Sequence, residues 1–299
     1  MLSYESIKDK PKLLTVMTSL NKEEFEYLCD LFEQAWDEYK ENEGYHDESK
    51  GGRKPVLKTS DDKLFFILFY MKLYPLQEII GYLFGMSQSQ ANYWIHVLSQ
   101  VLKMALQCND YLPQRVPEKM AEKLRQDATK AVAIDGTERR RQRPLDNEKQ
   151  KLYYSGKKKA HTLKNDLVVG INDREVKYLS GTYEGKAQDK KMAEEEELSY
   201  PQGIHLYQDK GFQGYQPAGV IIHQPQKKPK GGELSSAEKE QNRLVSRVRV
   251  VIEHVISGIK RCRIVKDVFR NTKEAYDDLV MEIACGLHNL RTDYRLQSY

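Results

Sequence analysis

Apolar positions recur at helical spacing through the first third of the chain. Between residues 21 and 40, Phe25, Leu28, Cys29, Phe32, Trp36 and Tyr39 fall on one side and acidic residues on the other, which predicts an amphipathic helix. The stretch 44–58, with its Gly, Lys and Pro, breaks the pattern and predicts a loop. TSDDK from Thr59 is a capping-type start for a helix to about Tyr74. Pro75 then suits the first turn of a short helix to Phe84. Gly85, Met86 and Ser87 make a turn, and Ser87 caps a helix from Gln88 to about Leu106 with Ala91, Ile95, Leu98, Leu102 and Ala105 facing inward. A short helix, a tight turn and a longer helix form the helix-turn-helix pattern, in which the start of the second helix enters the major groove. The residues exposed there would be Gln88, Gln90, Asn92 and Tyr93, and Gln or Asn can pair bidentately with adenine. A plain helical bundle can show the same turn. The second helix carries only Lys103, so phosphate contacts would fall to Arg53, Lys54, Lys58 or Lys63.

Beyond Pro113 and Pro117 the pattern shortens. Ala131–Ile134, Thr162–Ile171, Val176–Tyr183, Ile204–Gln208 and Val220–His223 read as strands, bounded by Gly, Asn and Asp. Helical patterns return at Ala187–Leu198 and from about Ser235 to Arg263, and PQKKPKGGELSS between strand and helix predicts a loop. The C-terminal two-thirds is thus a mixed α/β domain behind an all-α region.

Charge changes this picture more than bulk composition does. The net charge of the 299 residues is only +4. Residues 21–50, however, hold eleven acidic and three basic side chains; 138–164 hold three acidic and ten basic, and 241–273 two and nine. Two basic blocks suggest a polyanionic partner, with nucleic acid the first candidate. The N-terminal segment has no apolar signal core, and the longest apolar run, Leu64–Met71, is too short to span a bilayer, so neither export nor membrane insertion is expected. Cys29, Cys108, Cys262 and Cys285 are scattered without a CxxC pair, which suits a reducing cytoplasm and indicates neither a zinc site nor a disulfide framework.

Three carboxylates stand out. Asp135 closes the apolar run Ala131–Ile134 and precedes Gly136; Asp209 follows a short strand in QDKGFQG; Glu253 lies in the basic and apolar stretch SRVRVVIEHVISGIKRCRI. Arg249, Glu253 and Lys260, four and seven residues apart, fall near one helix face. Singly, a strand-end Asp is a turn former and a helical Glu an ion-pair partner. Together on separate elements among Arg and Lys, the three suit hard divalent cations, which take oxygen ligands and leave positions for phosphate. Asp189, at the head of the predicted helix 187–198, reads as an N-cap. His161 and His254 read as structural or DNA-contacting side chains rather than general bases.

The stretches AIDGTERRRQRPLDNEKQKLYYSGKKKAHTLK, QDKGFQG and SRVRVVIEHVISGIKRCRI resemble the bacterial insertion-sequence DDE transposases of the branch similar to Harbinger nucleases. Arg249, Glu253 and Lys260 match the spacing of the family's Tyr-Arg-Glu-Lys signature, with Ser246 at the Tyr position. Gln208 and Phe212 depart mildly from the family's context for the second acid, and Gln188 stands where relatives often have His before Asp.

The resemblance implies a helical region over 1–112 with a helix-turn-helix at about 59–108, and an RNase H-like catalytic domain over 128–299. It implies that Asp135, Asp209 and Glu253 are catalytic and hold two Mg²⁺ or Mn²⁺ ions. It further implies that Arg249, Lys260, Arg139, Arg140, Arg141, Arg143, Lys157, Lys158 and Lys159 contact DNA, though the segment after the first strand could equally serve multimer contacts. The expected partners are double-stranded DNA, as terminal repeats and target, and a second copy of the chain, in a nucleoid-associated cytoplasmic protein. Two other outcomes stay open: a transposase-derived DNA-binding protein that does not cut, and an RNase H-like endonuclease that does not transpose.

Overall fold

The computed structural model describes residues 1–43, 55–229 and 231–297, which divide into two compact units. Most of the predicted loop 44–58, with Arg53 and Lys54, lies outside the described residues.

The helical unit contains α1 (Pro11–Thr18), α2 (Lys22–Asn42), α3 (Ser60–Leu73), α4 (Gln77–Phe84) and α5 (Gln88–Cys108). Helix α2 opens on a capping box between Asn21 and Glu24, and α3 on the Thr59 cap. Every residue of α3 from Lys63 to Met71 is buried, so the apolar run is the central helix of this unit and not a surface stripe. Phe65, Phe66 and Phe69 close around Phe84 at ring separations of 5.7, 5.0 and 5.6 Å, which ties α3 to α4. The predicted turn is present: Gly85 ends α4 with φ at 73°, and Ser87 begins α5 with a capping box to Gln90. All five predicted inward positions of α5 are fully buried.

The sheet unit begins with α6 (Pro117–Gln126) and β1 (Ala131–Arg140), followed by α7 (Asn147–Tyr153), β2 (Tyr154–Ser155) and β3 (Ala160–Gly170). It continues through β4 (Val176–Leu179), β5 (Tyr183–Glu184), α8 (Asp189–Glu195), β6 (His205–Gln208), β7 (Ile221–His223) and α9 (Ser236–Ile259). β3 is antiparallel to β1 and takes β4, β5 and β2 along its other edge, while β6 is parallel to β1 and β7 to β6. The order β4-β3-β1-β6-β7 with these directions is that of an RNase H-like sheet. Val132, Ile134, Val168, Tyr178 and Leu206 build its core under α6 and α8, with Phe212 from the turn after β6.

Two departures from the sequence expectation matter. β1 does not end at Asp135 but runs on to Arg140 against β3; only its pairing with β6 stops, at Ile134 opposite Gln208. The chain from 273 to 294, expected in the catalytic domain, packs instead with the helical unit as most of the last helix, α10 (Tyr276–Gln297), together with residues 260–267. Its apolar side covers α5: Leu106 and Leu112 close over Gly286, the Ser99 and Tyr276 hydroxyls meet at 3.0 Å, and Asn289 donates to the Tyr111 carbonyl at 2.9 Å. Among the described residues, no helix is long and apolar enough to cross a membrane.

Candidate active site

Parallel pairing brings the first two acids together. With Ile134 opposite Gln208, the next residues, Asp135 and Asp209, stand side by side where β6 stops and one edge of β1 is left open. Each carboxylate is fixed by a glycine N–H: Gly136 donates to Asp135 at 2.9 Å and Gly211 to Asp209 at 2.7 Å. The second bond opens a 3₁₀ turn, Lys210–Phe212, anchored by the buried Phe212 ring.

Helix α9 buries Val245, Ile252, Val255 and Ile259, and brings Arg249 to the two acids. The Arg249 guanidinium lies 3.5 Å from Asp135 and 3.7 Å from Asp209, so the aspartates share one cation. Burial pushes the Asp135 carboxyl up to about 6; Arg249 and the Gly136 N–H act against this, and the charges of Asp209 and Asp189 add to it. Glu253 is exposed on α9, one turn beyond Arg249. Its carboxylate does not close with those of Asp135 and Asp209 to within 4.8 Å as a set. Lys260 falls just past the end of α9 and packs with the helical unit.

Two further acids stand against the glycines next to this pair, although no three of these carboxylates come within 4.8 Å of one another. Asp189 is not an N-cap: Gln188 holds that position, without a side-chain cap bond. Its carboxylate sits instead 3.1 Å from the point a Cβ on Gly136 would occupy and 3.1 Å from the corresponding point on Gly211, and it accepts from Lys164 at 3.1 Å. Asp166, opposite Gly136 on β3, points the same way, with Oδ1 3.2 Å from that Gly136 point. It is 1% exposed, and neither of its oxygens has a hydrogen-bond partner among the described residues. Burial and the charges of Asp189, Asp135 and Glu196 hold its carboxyl well above the ordinary range. The signal available in sequence was KND at 164–166, a polar triplet inside an otherwise apolar strand.

A different acidic group is closer packed. The carboxylates of Asp127, Asp173 and Glu175 lie within 4.8 Å of one another, but the Lys177 ammonium sits among them at 2.7 Å from each. Burial pulls Lys177 down, and its bonds to Asp127 and Asp173 more than offset that, so its charge is kept. This is an ion-pair cluster of partly exposed carboxylates around a buried lysine, with its cation already supplied.

The expected DNA-contacting residues divide by exposure. Arg139 is corrected: it is 2% exposed and donates to Asn165 and Thr182 at 3.2 Å each, because the alternation of β1 turns it inward. Lys63 is also buried, with its ammonium 5.2 Å above the Trp36 ring, whereas Lys58 is exposed. Arg140 and Arg143 are exposed, and Arg141 lies 4.0 Å over the Tyr153 ring. Lys157, Lys158 and Lys159 are exposed on the turn joining β2 to β3. On α5, Gln88 is exposed and donates to Gln77 at 2.7 Å, and Asn92 is half-buried. Gln90 is exposed, but its oxygen accepts from the Ser87 N–H at 3.0 Å to cap the helix, which leaves only its amide nitrogen for a base.

Two acids side by side where the parallel pairing of β1 with β6 stops, in a sheet of RNase H-like order and beside Arg249 of α9, form a candidate catalytic pair. Residues 134–289 match the family model of the DDE superfamily endonucleases, and residues 55–107 match that of the helix-turn-helix of DDE superfamily endonuclease. The chain belongs to the DDE superfamily endonucleases. It is similar to a probable transposase for insertion sequence element IS702 from Microchaete diplosiphon, 27% identical over 286 residues, covering 94% of this chain and 96% of that one. No solved structure matches.

Proposed function

We propose that this endonuclease is a DNA transposase, which binds the ends of its element through the helix-turn-helix and performs divalent-metal-dependent strand cleavage and transfer into target DNA. The observation that carries the reading is the Asp135–Asp209 pair, fixed on adjacent strands where their parallel pairing stops and already sharing the Arg249 cation. The donor set is all carboxylate oxygen, and the pair accepts a positive charge between its members, so the residues fit a hard divalent ion. Such an ion, when bound, supplies an acidified water or hydroxyl nucleophile and stabilises the leaving oxygen.

The chain's own residues do the rest. Asp135 and Asp209 hold the cation from the sheet, and Glu253 completes the set from α9. Arg249 binds phosphate oxygens beside it, and Lys260 contacts the DNA backbone. Arg140, Arg141, Arg143 and Lys157 to Lys159 hold the backbone of the duplex and offset its repulsion by the acids. Gln88, Asn92 and the amide nitrogen of Gln90 contact base edges. Bringing two element ends together calls for at least two copies of the chain. The name of the Microchaete relative supports the transposase reading over a nuclease that does not transpose.

The test uses purified full-length protein, Mg²⁺ and a labelled duplex carrying the inverted repeats that flank its gene. Nicks leaving a 3′-OH at the repeat end are expected, with background cleavage for Asp135→Ala, Asp209→Ala and Glu253→Ala. Cleavage by any of these at the wild-type rate would remove that acid from the catalytic set.

A further inference from the structure

The acids around Gly136 are not balanced by the cations that face them. Asp135, Asp166, Asp189 and Asp209 bring four negative charges when ionised. Lys164, 3.1 Å from Asp189, and Arg249, which spans Asp135 and Asp209, bring two positive ones. Glu196, which adds to the field at Asp166, is turned away to the Gly181 N–H and the hydroxyls of Tyr178 and Tyr183. The site is therefore two positive charges short. Asp135, Asp189 and Asp209 are partly exposed, but Asp166 is buried, and a buried carboxylate is not left in that state without a proton or a cation. The Asp127, Asp173 and Glu175 cluster shows the contrast, because there a buried lysine is built into the centre.

Geometry narrows the choice. Asp189 is wedged between the two glycines whose N–H groups fix Asp135 and Asp209, 3.1 Å from the Cβ point of each. Asp166 converges on the Gly136 point with its hydrogen-bonding capacity unused among the described residues, although it is 1% exposed. A side chain at 136 would fill the space these acids face.

We propose that Asp189 is a further ligand of the divalent cation, joining Asp135 and Asp209 from the α8 side, and that buried Asp166 supplies the charge that fixes the ion against β1. The inference rests on the metal-dependent reading above and assigns two residues that reading does not use. A doubly charged cation closes the balance that Lys164 and Arg249 leave open.

Calorimetric titration of the full-length protein with Mn²⁺ tests it without any need for DNA or activity. Asp189→Asn is expected to weaken Mn²⁺ binding by roughly tenfold or more, as for loss of a supporting or direct carboxylate. Gly136→Ala is the second variant. It keeps every carboxylate but drives a methyl to 3.1 Å from Asp189 and 3.2 Å from Asp166, and it should weaken binding comparably. Asp166→Asn should raise the melting temperature in EDTA and reduce the rise that Mn²⁺ produces.

Wild-type Mn²⁺ affinity in Asp189→Asn or in Gly136→Ala, with binding lost in Asp135→Asn, would overturn the role of Asp189 and leave the metal-dependent nuclease intact. Binding lost in Asp189→Asn but kept in Asp135→Asn would support Asp189 and remove Asp135 from the ligand set. A wild-type protein that takes up no Mn²⁺ would overturn both.

Discussion

Replacing Asp135 with Asn in the cation-free protein should remove a pH dependence that this single carboxylate imposes. Burial is the main cause of its shift from 3.8 up to about 6, with Arg249 opposing and Asp209 contributing. A folded-state value above the unfolded one means that the folded protein keeps a proton the unfolded chain has already released. The stability tied to that proton is fully present below the unfolded value, and it is lost as pH rises through the folded value, here between about 4 and 6. Two pKa units at about 1.4 kcal/mol each come to about 3 kcal/mol. Asparagine does not titrate, so the stability of Asp135→Asn minus that of wild type should climb by about 3 kcal/mol between about pH 4 and pH 8 in EDTA. Urea unfolding followed by far-ultraviolet circular dichroism at several pH values measures this difference. Saturating Mn²⁺ at the upper pH should restore the advantage of the wild type, because only its carboxylate gains from the ion. A difference that stays flat with pH, or narrows as pH rises, would refute the picture of Asp135 as a desolvated acid awaiting a cation.

Arg139→Met removes a buried guanidinium and leaves the Asn165 oxygen and the Thr182 hydroxyl without it. A loss of about 2–4 kcal/mol is expected in urea unfolding, with affinity for duplex DNA unchanged at a temperature where the variant is folded. A stable variant with weakened DNA binding would mean that Arg139 faces the nucleic acid after all. Lys177→Met strands three partly exposed carboxylates around an apolar tip and should cost about 3 kcal/mol in urea unfolding at neutral pH. A loss of the same size when Asp127→Asn, Asp173→Asn and Glu175→Gln are also present would argue that packing of the lysine stem, not its charge, is what the cluster needs.

The elements whose pattern is local were legible in the sequence. Ser87 and Gly85 announced the turn between α4 and α5, and the apolar runs before Asp135 and Asp209 announced the two strands that carry them. The length of β1 was not legible: its second half, TERR, is polar, and it stays extended because β3 pairs with it as far as Arg140. The same alternation hides Arg139, which composition alone places with its exposed neighbours. Asp189 was misread because an Asp at a helix start has an ordinary local explanation, and only the approach of Gly136 and Gly211 shows where its carboxylate goes. Asp166 was passed over inside a strand otherwise read as apolar. Glu253 was legible through its spacing from Arg249 and Lys260, whereas the placing of Arg249 3.5 Å from Asp135 and 3.7 Å from Asp209 depends on how α9 packs on the sheet.

The last helix gives the molecule a laced construction. The chain builds five helices, leaves to make the sheet, and returns so that Tyr276, Gly286 and Asn289 complete the cover over α5. Neither unit is therefore a cassette separable at one peptide bond. A fragment stopped at Leu112 would expose the leucines that α10 shields, and a gene truncated near its end would damage the helical unit before it touched Asp135 or Asp209. Fusions and insertions are better placed at the start of the chain than anywhere that interrupts its return.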